Sequence, residues 1–268
     1  MSASFAIIIP ARFASTRYPG KPLVALTGAS GVKKTLIQRS WECAASVPGC
    51  AGVWVATDDD RIADEARRFG AQVVMTAPEC ANGTERCADA IAKLGNVADV
   101  IVNLQGDAPL SPPMIVEQLV ARLEEDKAAV MATPVVRCAR STYEHLAEDA
   151  RHGRVGGTTA VFTRDLRALY FSKRIIPYLP DGAAASDLVP IHLHLGMYAY
   201  RPSALAAFAQ APPSELEERE GLEQLRFLDL GLPVAVVPMD PLSWDSIELN
   251  NPSDVPLIER VLQERGIE

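Results

Sequence analysis

The chain has 268 residues, 48% of them hydrophobic and 22% charged, enough to bury a core without disulfides or a structural metal. Its 17 Gly and 20 Pro fall in no low-complexity run, which excludes collagen-like and disordered chains. A formal net charge of −8 excludes a general nucleic-acid binder, whose electrostatic footprint is basic.

The first apolar run, Phe5–Ile9, is short and follows no basic residue, so it predicts a buried strand rather than a secretory signal. Further strands are expected at Val53–Ala56, Gln72–Met75, Val100–Asn103 and Val130–Ala132. Between them lie helical patterns at Thr35–Ala45, Arg61–Phe69, Glu85–Lys93 and Pro113–Glu124. This alternation predicts an α/β fold, a doubly wound and mostly parallel sheet covered on both faces. After residue 137 the pattern loosens. Val155–Thr163 and Leu195–Tyr200 are expected as antiparallel or edge strands, Asp181–Ala185 as a loop, and Pro202–Ala209 and Glu215–Leu230 as helices. A strand at Pro233–Val237 and a helix at Pro252–Arg265 complete a smaller elaboration of the same sheet. No apolar segment reaches the ~18 residues of a membrane span. The five cysteines form no C-x-x-C pair and predict reduced thiols in a cytoplasmic protein.

In open α/β sheets ligands sit beyond the carboxyl ends of the strands, so the segments after each strand are the candidate sites. Before Glu42 the chain carries Arg12, Arg17, Lys21, Lys33, Lys34 and Arg39 and no acid. The loop Pro10–Leu23, with three of these cations, suits a polyphosphate. A solvated basic loop is the plainer alternative. Asp107, after Gly106 at the end of an apolar strand, could hold Mg²⁺ against phosphate oxygens or could cap the helix that begins near Pro112. Asp58, Asp59 and Asp60 suit a helix cap better than a metal cluster. Two patterns are set aside. Gly28–Thr35 approaches a P-loop but has Lys33 where the motif needs glycine, after Val24–Thr27, a weak strand candidate. No G-x-G-x-x-G follows the first strand, and the four His show no zinc spacing.

The stretches IIIPARFASTRYPGKPL, VATDDDRI, NGTERCADA, VNLQGDAPL, ALYFSKRIIPY, HLGMYAYR and EGLEQLRFL follow one another in this order. Together they resemble the 3-deoxy-manno-octulosonate (Kdo) cytidylyltransferases, also called CMP-Kdo synthetases, over residues 5–265. The resemblance implies a single nucleotidyltransferase domain over 1–268, with a nucleotide-binding half to residue 136 and a sugar-binding and dimerising elaboration after it. It implies a cytoplasmic, Mg²⁺-dependent homodimer, with no nucleic-acid or membrane partner, that joins CTP to an acid sugar for lipopolysaccharide assembly. It places Ala11, Arg12, Ser15, Arg17 and Lys21 around the triphosphate and Thr84 and Arg86 near the cytidine. Gln105 would contact sugar or ribose, and Asp107 would carry the metal. Lys173, His194, Tyr198, Glu220 and Gln224 would line the sugar pocket.

Taken alone, those sugar-side residues have plain readings: Tyr198 as core, His194 on a half-exposed strand, Glu220 and Gln224 on a solvated helix. The chain also departs from the family pattern. Ala108 stands in place of the Glu of QGDEP, Lys173 in place of the Arg of FSR, and Asn250 in place of a second metal-binding Asp, with Glu248 or Asp245 as substitutes. These departures leave open an enzyme for another 2-keto-3-deoxy sugar acid and a non-catalytic CTP-binding paralogue.

Overall fold

A computed structural model describes residues 3–14, 18–180, 182–241 and 249–268. The first elements are β1 (Phe5–Ala11), the hairpin strands β2 (Ala25–Thr27) and β3 (Lys33–Thr35), α1 (Leu36–Ala45), β4 (Cys50–Thr57) and α2 (Asp60–Arg68). Then come β5 (Gln72–Met75), α3 (Gly83–Leu94), β6 (Val100–Asn103) and α4 (Pro113–Glu125). The later chain supplies β7 (Met131–Ala139), α5 (Arg140–Arg151), β8 (Thr159–Phe162), β9 (Ala168–Ser172), β10 (Leu188–His194) and β11 (Tyr198–Tyr200). It ends with α6 (Pro202–Gln210), α7 (Glu215–Glu220), α8 (Leu225–Asp229), β12 (Val234–Met239) and α9 (Val255–Glu264).

The chain divides into two compact units, residues 1–117 with 245–268 and residues 118–244. In the first, β5, β4, β1 and β6 lie side by side and all pairs are parallel. Ala6 through Ile9 are fully buried, because a parallel strand with helices on both faces has no solvent side. The helices start where capping side chains stand. Asp59 Oδ1 accepts from the Arg61 amide at 3.0 Å, and Asn82 Oδ1 from the Glu85 amide at 2.8 Å. Leu26, Leu36, Leu110, Leu249, Ile258 and Leu262 form a cluster that ties the β2–β3 hairpin and α9 to this unit.

In the second unit β7 is the central strand. It pairs antiparallel with β10 and β11 and parallel with β12, and β8 and β9 extend the sheet from β10. The fold class is α/β: a mostly parallel sheet, with antiparallel strands concentrated in the second half.

Several local expectations are corrected. The helix expected over Glu215–Leu230 is two short helices, because Gly221 adopts φ +61 and ends α7. Of the strand expected over Val155–Thr163 only Thr159–Phe162 is extended. Val24–Thr27, the weak candidate, contributes Ala25–Thr27 to a hairpin whose turn and second strand are the P-loop-like segment. Helix α5 and strand β9 had no forecast; α5 buries only Leu146 and Asp149 fully, with Tyr143 packed against the same cluster as Leu146. None of the five cysteines forms a disulfide, and burial pushes the Cys43 and Cys138 thiols up to about 11, where they stay protonated.

Candidate active site

In the first unit the decisive contact is a close approach of backbone. A Cβ added to Gly106 would lie 2.9 Å from the Pro10 carbonyl oxygen at the end of β1. The segment after β6 therefore lies against the segment after β1. Ser40 of α1 fixes it by donating its hydroxyl to the Gly106 carbonyl at 3.0 Å.

This packing brings Asp107 to Lys21. Lys21 Nζ donates to Asp107 Oδ2 at 2.6 Å, and the two side chains are only 15% and 25% exposed. The Pro10–Leu23 loop is closed by a Gly20 amide bond to the Phe13 carbonyl at 2.9 Å. Gly20 takes φ +71, a conformation other residues rarely adopt, and the Phe13 ring lies 3.1 Å from its Cβ position, a tight contact. The Arg61 guanidinium sits 3.3 Å above the other participant in this turn, the Phe13 ring centre. Asp107 does not cap a helix, since α4 starts at Pro113. Its carbonyl oxygen accepts from the Leu249 amide at 2.9 Å, which puts Asn250 on the residue next to that contact.

Other sequence-derived candidates of this unit are placed as follows. Ala11 is buried and Arg12 exposed, while Gln105 is partly buried near Gly83, whose Cβ position is 3.2 Å from Gln105 Nε2 and 3.2 Å from Asn103 Nδ2. Thr84 and Arg86 are buried in α3, and the Arg86 guanidinium bonds Thr76 and pairs with Asp58 at 3.2 Å. Asp59 caps α2 and Asp60 begins it, as the cap reading requires. Ser15, Arg17, Asp245 and Glu248 lie outside the described residues.

The second unit holds all five sugar-side candidates: Tyr198 is core, as its plain reading has it, His194 lies on a partly exposed strand, and Gln224 is buried rather than solvated. Gln224 is buried and lies between Tyr198, whose hydroxyl donates to its Oε1 at 3.4 Å, and the His194 ring, 3.5 Å from its Nε2. Burial lowers the His194 imidazole to about 3, so the ring is neutral. Glu220 accepts from the Ser172 hydroxyl at 2.7 Å and the Lys173 amide at 2.9 Å, which anchors the end of β9. Lys173 is exposed, and its ammonium lies 2.8 Å from the Cβ position of Gly221.

Residues 6–233 match the family of cytidylyltransferases. The chain belongs to that family. It is 40% identical to the 3-deoxy-manno-octulosonate cytidylyltransferase of Maricaulis maris (strain MCS10) over 97% of either chain. It is also 40% identical to the 8-amino-3,8-dideoxy-manno-octulosonate cytidylyltransferase of Shewanella sediminis (strain HAW-EB3), over 94% of this chain and 96% of that one. Among solved structures, CMP:2-keto-3-deoxy-manno-octonic acid synthetase complexed with CTP superposes with a TM-score of 0.83 at 32% identity, covering 98% of this chain and 99% of that one.

A cytidylyltransferase is a nucleotidyltransferase, and such enzymes commonly employ Mg²⁺. Asp107 has the donor that a small hard cation takes, a partly exposed carboxylate with an oxygen beyond the one facing Lys21. Among the described residues no group of three His, Cys, Asp or Glu gathers, so the protein ligands would be few and phosphate oxygens would complete the shell.

Two residues of the second unit had no sequence forecast. Glu217 and Arg226 are both buried and form a bidentate pair, Nε to Oε2 at 2.6 Å and Nη2 to Oε1 at 2.6 Å. Arg226 also covers the Phe208 ring at 3.8 Å and donates to the Phe208 and Ala211 carbonyls. The pair closes the segment that carries Glu220 and Gln224. Its one sequence signal is the capping box Ser214-x-x-Glu217.

Proposed function

We propose that this chain is a CTP-dependent cytidylyltransferase that activates Kdo as its CMP-glycoside. The observation that carries the reading is the Lys21–Asp107 pair at the carboxyl edge of the parallel strands, the place and the charge pattern that a nucleotide triphosphate with its metal calls for. Relatives named for this reaction along nearly the whole chain support it.

In this reading CTP binds the first unit. Arg12 and Lys21 pair with phosphate oxygens, Ser15 and Arg17 shape the same loop, and Ala11 lines it. Thr84 and Arg86 support the cytidine side through α3 rather than by exposed contacts, in keeping with their burial. Asp107, with the Asn250 carbonyl, would hold Mg²⁺, which when bound neutralises charge on the phosphates. The acceptor binds the second unit among Lys173, His194, Tyr198, Glu220 and Gln224, with Gln105 at the ribose or sugar. Lys173 supplies a cation for the sugar carboxylate, without the two-pronged geometry of arginine.

The reaction is an in-line displacement. The anomeric hydroxyl oxygen forms a bond to the α-phosphorus, the bond to the bridging oxygen of the β-phosphate breaks, and pyrophosphate leaves. The hydroxyl proton passes to solvent. No covalent enzyme intermediate is needed, so positioning and charge compensation by Lys21 and Arg12 are the protein's main contributions. The enzyme acts in the cytoplasm as a homodimer and feeds lipopolysaccharide assembly. No described helix is long and apolar enough to cross a membrane.

The test is pyrophosphate release with CTP and Mg²⁺, with and without Kdo and with EDTA. Kdo-dependent release that EDTA abolishes is the expected result. CTP binding without turnover of any 2-keto-3-deoxy acid would establish the non-catalytic paralogue instead. A second acceptor is tested beside Kdo, because the chain is as identical to the 8-amino enzyme of Shewanella sediminis as to the Maricaulis enzyme. A kcat/KM for 8-amino-3,8-dideoxy-manno-octulosonate above that for Kdo would select it.

A further inference from the structure

The buried polar groups of the second unit form a hydrogen-bond chain that runs in one sense. Thr133, fully buried on β7, has one hydroxyl hydrogen. Its Oγ1 lies 2.8 Å from the Met197 carbonyl oxygen and 2.8 Å from His194 Nε2. A carbonyl oxygen can only accept, so the hydroxyl hydrogen goes to Met197 and His194 must donate from Nε2. The next residue on β7 is Pro134, which has no N–H to offer that carbonyl in place of the hydroxyl.

With its single proton on Nε2, the neutral ring carries a lone pair on Nδ1 and accepts from Gln224 Nε2, at 3.5 Å. That orientation turns Gln224 Oε1 to the Tyr198 hydroxyl, at 3.4 Å. Both contacts are long and are the soft end of the chain. If the Thr133 hydrogen pointed at the ring instead, every later member would reverse. Nδ1 would carry the proton, and the Gln224 carbonyl would face it.

We infer that Thr133 is a positioning residue for the acceptor: its hydroxyl holds His194 as the Nε2–H tautomer and so decides which polarity the Gln224 amide presents. The inference rests on the reading that His194, Tyr198 and Gln224 line the acceptor pocket. Two aromatic rings, Phe171 and Tyr198, pack on the imidazole at centroid distances of 5.1 and 5.5 Å.

The experiment uses the full chain labelled with ¹⁵N-histidine at pH 7, with His194 assigned by loss of its signals in His194→Gln. Long-range ¹H–¹⁵N correlation should show the Nε2–H tautomer. In Thr133→Val that preference should be lost, the KM for Kdo should rise about tenfold as a hydrogen bond is removed, and the KM for CTP should stay within about twofold. Thr133→Ser should restore both. An Nδ1–H ring in the wild type overturns the inference. So does a valine variant with unchanged tautomer and Kdo KM, or one whose CTP KM rises in parallel. If the valine variant does not fold, the wild-type and serine spectra decide, and Nδ1–H in either overturns it. Absence of turnover with both Kdo and its 8-amino relative, beside an Nε2–H ring that follows Thr133, would overturn the functional reading and the acceptor role with it. The tautomer assignment alone would then stand.

Discussion

Gly106 and Pro10 approach so closely that a single added carbon on Gly106 would sit 2.9 Å from the Pro10 carbonyl oxygen. The obstacle is backbone at the end of a buried strand, so it cannot swing aside as a flexible side chain would. Gly106→Ala should therefore cost about 1–3 kcal/mol of stability, the usual penalty of overpacking. Because Asp107 is the next residue, kcat/KM for pyrophosphate release should also fall more than tenfold. Urea unfolding and the release assay check the two effects. A variant with wild-type activity would show that the close approach does not set the position of Asp107.

Lys21→Ala separates binding chemistry from folding. Lys21 belongs to a short 3₁₀ turn and meets Asp107 at a partly open site, so its loss should lower stability by only about 1 kcal/mol. Turnover should drop by about 10²–10³, the scale of losing one charge-stabilising donor. Steady-state kinetics beside thermal unfolding will show whether the losses separate. Equal losses in both would count against a role at the phosphates.

The Glu217–Arg226 pair should behave as a buried clamp. Glu217→Gln leaves a buried guanidinium without its carboxylate and should cost about 3–5 kcal/mol. The double change Glu217→Leu with Arg226→Met should cost much less, because it removes both charges together. A double-mutant cycle by urea unfolding measures the coupling. Since the clamp closes the segment bearing Glu220 and Gln224, each single variant should also raise the KM for the acceptor.

His194 makes stability depend on pH in a defined sense. Burial lowers its folded pKa to about 3, below the ordinary value of 6.5, so between these the unfolded chain binds more protons than the folded one. Its contribution is complete above pH 6.5 and falls as the pH drops toward 3, by at most about 1.4 kcal/mol per unit. Unfolding free energies at pH 7.5 and 5.5 should differ more in the wild type than in His194→Gln. Equal differences would mean that the ring titrates normally.

The parallel half of the fold was legible because its strands are continuous apolar runs and its helices carry caps at their starts: Thr35, Asp59 and Asn82. The antiparallel half was harder. α5 carries only a narrow apolar face around Tyr143 and Leu146, and β10 is held by β7, far back in the chain, rather than by a repeating pattern of its own. Gly221 was visible as a glycine, but only its left-handed φ shows that one expected helix is two.

The order of chemical residues along the chain was likewise a matter of sequence: the acid-free cationic opening, Asp107 behind its glycine, and the ordered motifs that resemble Kdo cytidylyltransferases. Residue types and their spacing are local information, and charge and motif order follow from it directly. What only the tertiary structure decided is partnership. Lys21 meets Asp107 across 86 positions, and Arg86 turns inward to Asp58 and Thr76. Thr133 reaches His194 across 61 positions. Hydrogen bonds depend on distances of a few ångströms and on which atom holds the proton, and those are set by how strands pack rather than by the residues that flank each group in the chain.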